Sequence, residues 1–269
     1  MIKGLAITPP VIGRIAIGHM VERNGKRLPE KDDHFTLTTQ VQGRDGWMLH
    51  PLHTQLAESA GGKLRAIPVK LLFNAPDLNL RADYSLFDRS NGRLMCVGNG
   101  DAAQRVTEEG VKEVPCPGPE NCAWGGNSGC KLYGRLNVQV EGQDDELGSF
   151  VFRTTGYNSI RTLTARLHYF QAISGGYAKH LPLLLRLRAK STTLSRGTPI
   201  YYADLSLREG HSLTETVTQA REEAQRQHEA GVQTEWLENV ARQVLANGRF
   251  EETEEEGMDV VEEFLPDTA

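Results

Sequence analysis

Residues 96–130 read CVGNGDAAQRVTEEGVKEVPCPGPENCAWGGNSGC and contain every cysteine of the chain, namely Cys96, Cys116, Cys122 and Cys130. Glycine, proline and asparagine lie between them, and these residues favour tight turns and add almost no apolar side chain to a core. A loop of this length without a hydrophobic period is unusual in a compact domain, so we expect something other than packing to order it. Four thiolates around one zinc ion would do so, because Zn²⁺ accepts four sulfur ligands tetrahedrally.

The spacing of the four cysteines leaves three interpretations open, since the intervals are wider than a C-x₂-C knuckle. The first is a structural zinc site, which is closed and has no position for an activated water. A ligand drawn from His50, His53 or Asp101 in place of one cysteine would change that conclusion. The second is a pair of disulfides, but residues 2–17 do not resemble a secretory signal, so we expect reduced thiols. The third is a set of unrelated thiols.

Length and composition predict a soluble globular protein. A chain of 269 residues with 39% hydrophobic residues can bury a full core. No apolar run approaches the roughly 18 residues that a membrane span needs. We therefore expect a cytoplasmic protein with no membrane partner, and nothing in the sequence predicts its oligomeric state.

The charge distribution says more than the net charge of −5, which taken alone argues against nucleic-acid binding. Residues 147–203 contain no acidic residue, whereas from Asp204 to the end there are 17 acidic residues and five arginines. Such an asymmetry favours a polyanionic partner, and we predict DNA contact through phosphates. The alternative is an ordinary surface whose acidic residues come from elsewhere in the chain. The candidate nucleic-acid-binding residues are Arg153, Arg161, Arg166, Lys179, Arg186, Arg188, Lys190 and Arg196.

Hydrophobic periodicity predicts an α+β fold. Alternation indicates strands over Lys31–Thr39, Leu136–Val140 and Phe150–Phe152, and an apolar stripe of helical spacing indicates a helix over Tyr157–Ser174. Ser212 to Glu215 form a capping box that begins a further helix. We expect a mixed or antiparallel sheet with packed helices, in which the four-cysteine zinc loop is inserted between strands of one sheet.

Three regions are predicted along the chain: a zinc-stapled core over residues 1–207 with its zinc loop at 96–130, C-terminal helices over 208–248, and an acidic tail over 249–269. The tail has three interpretations: a solvated segment, a segment that docks on a partner, or a mimic of DNA charge that covers the basic stretch. The candidate protein-contact residues are Trp236, Phe264 and Leu265.

Several stretches together resemble the phage recombination-directionality-factor-like family over most of residues 10–210. They are IGRIAIGH at 12–19, PEKDDHFTLT at 29–38, CVGNGD at 96–101, the three later cysteines with CKLYGRL at 130–136, and FRTTGYNSIRTLTARL at 152–167. Members of this family include accessory proteins that bind a large serine integrase and switch it from integration to excision. The resemblance implies an integrase or another recombination protein as partner, and it places Cys96, Cys116, Cys122 and Cys130 at the family's metal-site positions.

Our functional expectation is a zinc-binding accessory protein of mobile-element recombination that acts by protein contacts and DNA contacts. We do not expect an enzyme, because no nucleophile elbow, P-loop or H-E-x-x-H pattern is present. Two alternatives remain open at this point. One is a protein that handles single-stranded DNA, and the other is a metal-dependent hydrolase of nucleic acid in which Asp83, Asp88 or Asp101 takes part.

Overall fold

The computed structural model describes residues 9–23, 26–44, 46–193, 195–210, 212–247 and 254–265. The strands are β1 Val11–Arg23, β2 Lys26–Gly43, β3 Gly46–Leu49, β4 Ala66–Leu71, β5 Leu80–Phe87, β6 Leu94–Gly98, β7 Ala102–Thr107, β8 Gly110–Pro115, β9 Lys131–Val140, β10 Ser149–Thr154, β11 Leu183–Lys190 and β12 Ile200–Leu207. The helices are α1 Pro51–Ser59, α2 Pro76–Asn79, α3 Gly125–Ser128, α4 Tyr157–Ile173, α5 Leu213–Glu229, α6 Thr234–Asn247 and α7 Glu254–Phe264. A 3₁₀ turn occupies Ala178–His180. The predicted α+β class is confirmed.

The described strands form one mixed sheet that branches at β9. Its main path runs β3-β2-β1-β10-β9-β5-β6-β7-β8, and the branch runs from β9 through β4 and β11 to β12. The branch is possible because the first half of β9 pairs with β5, while Val138–Val140 at its end pair with β4. Strands β1 and β10 are parallel, and the other pairs are antiparallel.

One face of this sheet carries the main hydrophobic core. Alternate residues of β2, β9 and β10, such as Leu37, Leu136 and Phe152, are buried there, as the period-2 pattern predicts. Helix α4 covers them with the stripe that includes Leu163 and Leu167. The opposite face of β1, β9 and β10 is therefore free to carry polar residues.

Close approach of α4 to the sheet depends on a glycine. A Cβ built at Gly134 of β9 would lie 2.8 Å from a side-chain carbon of Ile160 on α4. The predicted helix over 157–174 is confirmed, and Gly175 and Gly176 follow it with positive φ.

The stretch 96–130 contains more regular structure than the sequence predicts. Strands β7 and β8 form a hairpin that continues the sheet from β6, and α3 lies between the last two cysteines. The expectation of an irregular loop is wrong over 102–115, because backbone pairing with β6 orders residues whose side chains show little hydrophobic period. The flanking strands β6 and β9 belong to the same sheet, as expected, and β7 and β8 within the segment extend that sheet, whereas the zinc loop itself stays a prediction.

The C-terminal region is helical, as predicted, and it packs on the sheet domain. Ser212 caps α5, accepting a hydrogen bond from the Glu215 N–H. On α6, the Glu238 carboxylate accepts hydrogen bonds from the backbone N–H groups of Asn74 and Ala75. Helix α7 contacts the sheet through Val260 and Val261. No helix within the described part of the chain is both long enough and apolar enough to cross a membrane.

Candidate metal centre and basic surfaces

The four cysteines come from three neighbouring pieces of the fold. Cys96 lies in the middle of β6, Cys116 directly follows β8, and Cys122 and Cys130 lie on either side of α3. The chain reverses between β6 and β7 because the Asn99 side chain accepts hydrogen bonds from the backbone N–H groups of Asp101 and Ala102. The Cys116 N–H then donates to the Asp101 carbonyl at 2.8 Å, which brings the start of the third piece beside the first.

All four cysteines line one small cavity of about 20 Å³, enough for one particle the size of a water molecule. They are free thiols, so neither disulfide of the second interpretation is present. Glycines form part of the wall and allow the sulfurs to approach. A Cβ built at Gly98 would lie 2.7 Å from Cys116 Sγ, and one at Gly125 would lie 3.3 Å from Cys122 Sγ.

Cys122 is surrounded by hydrogen-bond donors. The Gly125 N–H donates to its sulfur at 3.2 Å, and this hydrogen bond holds the pKa of the Cys122 thiol below its ordinary value. The Arg105 guanidinium lies 3.8 Å from the same sulfur and stacks on the Trp124 ring, 4.5 Å from its centroid. Donors of this kind stabilise a thiolate, which is the form that binds metal.

Burial favours the neutral form of two other thiols of the cluster, Cys96 and Cys130. Burial, together with the neighbouring thiols Cys96, Cys116 and Cys122, raises the pKa of Cys130 to about 11. Burial likewise raises the pKa of Cys96. Neighbouring negative charges in so small a cavity would repel one another, and a bound cation would offset this repulsion.

The donor chemistry of this cluster fits a zinc ion, because four sulfur atoms face one cavity of suitable size. In the present conformation, however, the four cysteine side chains do not form a metal-binding site. Among the residues that the structure describes, no three His, Cys, Asp or Glu side chains make a group that could hold a metal ion as they stand. Zinc binding by Cys96, Cys116, Cys122 and Cys130 therefore stays a prediction.

The predicted basic stretch does not form one surface. Arg166 on α4 and Arg188 on β11 both bind the buried carboxylate of Asp204, at 3.0 and 2.5 Å, and Lys190 donates to the Asn158 side chain at 2.6 Å. Asp204 is the first residue of the acidic C-terminal block, so part of the positive charge is balanced within the sheet domain. Arg161 is exposed on the same helix as Arg166, one turn beyond Asn158.

The remaining predicted basic residues lie elsewhere. Arg186 pairs with Glu209 at 2.7 Å, and Arg196 lies exposed in the turn between β11 and β12. Lys179 lies on the 3₁₀ turn, where burial lowers its pKa. Arg153 lies on the opposite face of the sheet, where its positive charge interacts with the carboxylate of Glu263.

The three candidate protein-contact residues differ in exposure. Trp236 on α6 is 63% exposed and is available to a partner. Leu265 is only 5% exposed, because it packs with Phe87 and Tyr133, and Phe264 packs against the same cluster. In this structure these two residues contact the protein's own sheet.

Sequence reasoning did not identify two side chains that make important contacts in the structure, Arg105 and Arg14. Arg105 faces the cysteine cavity, yet nothing about an isolated arginine in a hairpin indicates such a role. Arg14 is buried on the polar face of the sheet and binds Glu263 on α7 at 2.8 Å. Its place within the strand pattern of residues 12–18, between apolar neighbours, was the available signal.

Fold and site together define an α+β protein with a cluster of four free cysteines at one end of a branched mixed sheet. The model of the Gp3-like family, described as recombination directionality factor-like, matches residues 12–208. The chain belongs to this family, and the predicted resemblance is confirmed. No curated protein and no solved structure matches the chain.

Proposed function

We propose that this protein is a recombination directionality factor, an accessory protein that binds a serine integrase and changes the direction of recombination from integration to excision. One observation carries the proposal. The family match runs from β1 to the residue after β12, so it includes the whole sheet, α1 to α4 and all four cysteines. The helices α5 to α7 lie outside the matched residues.

Zinc is part of this proposal as a structural ion held by Cys96, Cys116, Cys122 and Cys130. Bound there, it would cross-link β6, the end of β8 and the segment around α3, a region with few large apolar side chains of its own. The Gly125 N–H and Arg105 would offset the negative charge of the thiolates. Binding energies of structural zinc sites are on the order of 10 kcal/mol, which is comparable to the stability of a domain.

Contact with DNA is a further part of the proposal, supported by the cluster of Arg166, Arg188 and Lys190 and by the exposed Arg161. Their guanidinium and ammonium groups would bind phosphates and carry no sequence information. The shared carboxylate of Asp204 holds two of these arginines in one place, at the cost of part of their charge.

The recombination role is tested in vitro with the integrase encoded by the same genetic element. Purified protein should promote recombination between the two hybrid attachment sites and inhibit recombination between the two original sites. A variant with Cys116→Ser and Cys122→Ser should lose both effects if the cluster shapes the integrase-binding part. If the wild-type protein changes neither reaction while it remains folded and zinc-loaded, the proposed role is wrong.

Zinc content is tested separately by elemental analysis of protein purified without added metal. We expect one zinc per chain, and its loss from each of the four single Cys→Ser variants. The matched control is Ser90→Ala, an exposed turn residue outside the cavity. Metal-free protein whose melting temperature does not change when zinc is added would contradict the zinc part and leave the recombination role untouched.

A further inference from the structure

A row of arginines crosses the polar face of the sheet. Arg135 on β9 lies directly opposite Arg153 on β10 and directly opposite Arg81 on β5. Residues directly opposite on neighbouring strands place their side chains on the same face about 5 Å apart, and like charges in such pairs are unfavourable. Three arginines in register therefore concentrate positive charge on this face and favour an acidic neighbour.

Arg14 extends the row onto β1. In the parallel pairing, Arg14 lies opposite Val151, two residues before Arg153, so both arginines point to the same face. The Arg14 side chain is 9% exposed and stacks over the Trp47 ring at 3.9 Å. Its Nη1 atom is buried and makes no hydrogen bond.

Helix α7 covers this arginine surface. Six of its eleven residues are acidic, and two of them face the sheet: Glu263 binds Arg14 at 2.8 Å, and Asp259 lies 3.7 Å from it. An apolar side of the same helix packs beside the arginines, where Val260 is 1% exposed and contacts the cluster of Phe87 and Tyr133. The surface therefore consists of a basic half and an apolar half.

Helix α7 packs closely on the sheet, but the burial of its acidic residues is energetically unfavourable. Burial raises the pKa of Glu263 and of Asp259, so their charged forms are held against a desolvation cost that Arg14 only partly offsets. The helix approaches the turn before β6 so closely that a Cβ built at Gly257 would overlap the Gly92 carbonyl oxygen. Helix α7 also lies outside the matched family region, whereas the arginine surface lies within it. These features are those of a competitor that can be displaced.

We propose that the surface formed by Arg14, Arg135, Arg153, Phe87 and Tyr133 is a docking site for an acidic amphipathic helix of a partner protein, and that α7 is an intramolecular competitor for this site. A protein helix fits better than a DNA duplex, because the phosphates of a duplex would use the arginines and its paired, stacked bases could not cover Phe87 and Tyr133. The partner need not be a recombinase.

Two full-length variants expose the site by different means. Gly257→Ala places a methyl group against the Gly92 carbonyl and improves the helix itself, so it separates docking from helix formation. Val260→Asp places a charge in the apolar half. The matched control is Glu255→Ala, which changes an exposed residue of the same helix.

The probe is a fluorescent synthetic peptide of residues 251–267, with a scrambled peptide of the same composition as its control. By anisotropy, Gly257→Ala and Val260→Asp should bind the peptide at least tenfold more tightly than the wild type or Glu255→Ala. Adding Arg14→Ala to Gly257→Ala should abolish the gain in affinity for the peptide. The scrambled peptide should not bind either variant more tightly than it binds the wild type.

Two outcomes would overturn the proposal. If both variants melt at lower temperature without any gain in peptide binding, α7 is only a part of the fold. If the exposed variants gain affinity for a 20-base-pair DNA duplex and not for the peptide, the arginine surface is a nucleic-acid site and the assigned partner class is wrong.

Discussion

At the residue scale, buried polar groups of this protein hold turns and helix ends that apolar packing alone would leave unsatisfied. Asn79 at the end of α2 is the strongest case, being 0% exposed. Its side-chain oxygen accepts hydrogen bonds from the N–H groups of Leu72 and Phe73, and its amide donates to the carbonyls of Phe73 and Ala75. One side chain thus closes the turn between β4 and α2.

Replacement of Asn79 by alanine should be strongly destabilising, because the N–H groups of Leu72 and Phe73 and the Phe73 carbonyl would lose the hydrogen bonds of this side chain, and the Ala75 carbonyl would keep only the Leu78 N–H. Each such group costs about 1–3 kcal/mol, and with partial relief by water we expect a total loss of about 3–5 kcal/mol. Urea unfolding followed by circular dichroism measures the change. The control is Asn121→Ala at an exposed position, where the change should stay within about 0.5 kcal/mol. A loss below about 1 kcal/mol in Asn79→Ala would contradict this interpretation.

His180 should make stability depend on pH. Burial lowers its pKa to about 4, helped by the charges of Lys179 and Lys70 and opposed by Glu223. Because the unfolded chain takes up a proton near pH 6.5 and the folded chain only near pH 4, stability present above pH 6.5 is lost as the pH falls toward 4. The ring is not fully buried, so we expect His180 to contribute about 1–2 kcal/mol of this loss.

The measurement is the difference between urea unfolding at pH 7 and at pH 4.5. His180→Gln should lose less stability between these two pH values than the wild type, although His50 and His53 also have pKa values lowered by burial and will keep part of the effect. His168→Gln, an exposed position, should behave as the wild type. An identical pH dependence in His180→Gln would show that this histidine is not the cause.

At the element scale, the β7–β8 hairpin is hydrogen-bonded to the rest of the sheet on one side only. It joins the sheet through β6, and β8 is the last strand of the path. The hydrophobic cluster beneath it is small, with Leu86, Cys96 and Ala103 as its buried members. Elements with so few buried apolar contacts open independently of the core unless something else ties them down.

If the proposed zinc ion is bound, its removal should therefore unfold this end of the sheet and leave the core intact. By hydrogen exchange, a chelator should accelerate the backbone amides of residues 102–130, while the amides of β4 and β11 stay protected. The same pattern without chelator is expected for Cys130→Ser. Acceleration spread evenly over the sheet, or none at 102–130, would contradict a local cross-linking role for the ion.

At the scale of the whole molecule, opposite charges far apart in the sequence meet on the sheet. Asp204 lies between Arg166 and Arg188, and the acidic helix α7 lies over Arg14 and Arg153. The protein therefore has a net charge of −5 and also two local basic regions. In the region beside α4, Asp204 neutralises part of the positive charge, and the other region is covered by α7.

DNA binding by the region beside α4 should be weak and strongly dependent on salt. The simultaneous change of Arg161, Lys190 and Arg196 to alanine should lower the slope of log affinity against log salt, by about 0.9 for each phosphate that is no longer neutralised. Anisotropy with a 20-base-pair duplex between 50 and 200 mM salt measures it. Arg226→Ala on the exposed side of α5 is the control and should leave the slope unchanged. An unchanged slope in the triple variant would place any DNA contact elsewhere.

Much of the architecture followed from local patterns. Alternation predicted β2, β9 and β10, the apolar stripe predicted α4, and the capping box predicted the start of α5. The sequence does not predict the hairpin β7–β8, because most side chains of β8 are exposed and most of those of β7 are half-buried, so no alternation marks it. The sequence predicts an acidic tail where the structure has helix α7, because a run of glutamates masks the apolar residues that pack against Phe87 and Tyr133.

The amino-acid sequence alone determined the candidate cysteine cluster, the periodicity of the helices and the family. Each of these depends on residues that are close together in the chain or on a recognisable set of motifs. Folding was needed to bring the thiols to one cavity with Arg105 and to divide the basic stretch between two faces of the sheet. It was also needed to set Arg81, Arg135 and Arg153 in one row, with an acidic helix beside Arg153. The reason is strand register: which side chains become neighbours across a sheet depends on pairings between distant segments, and no local pattern encodes them.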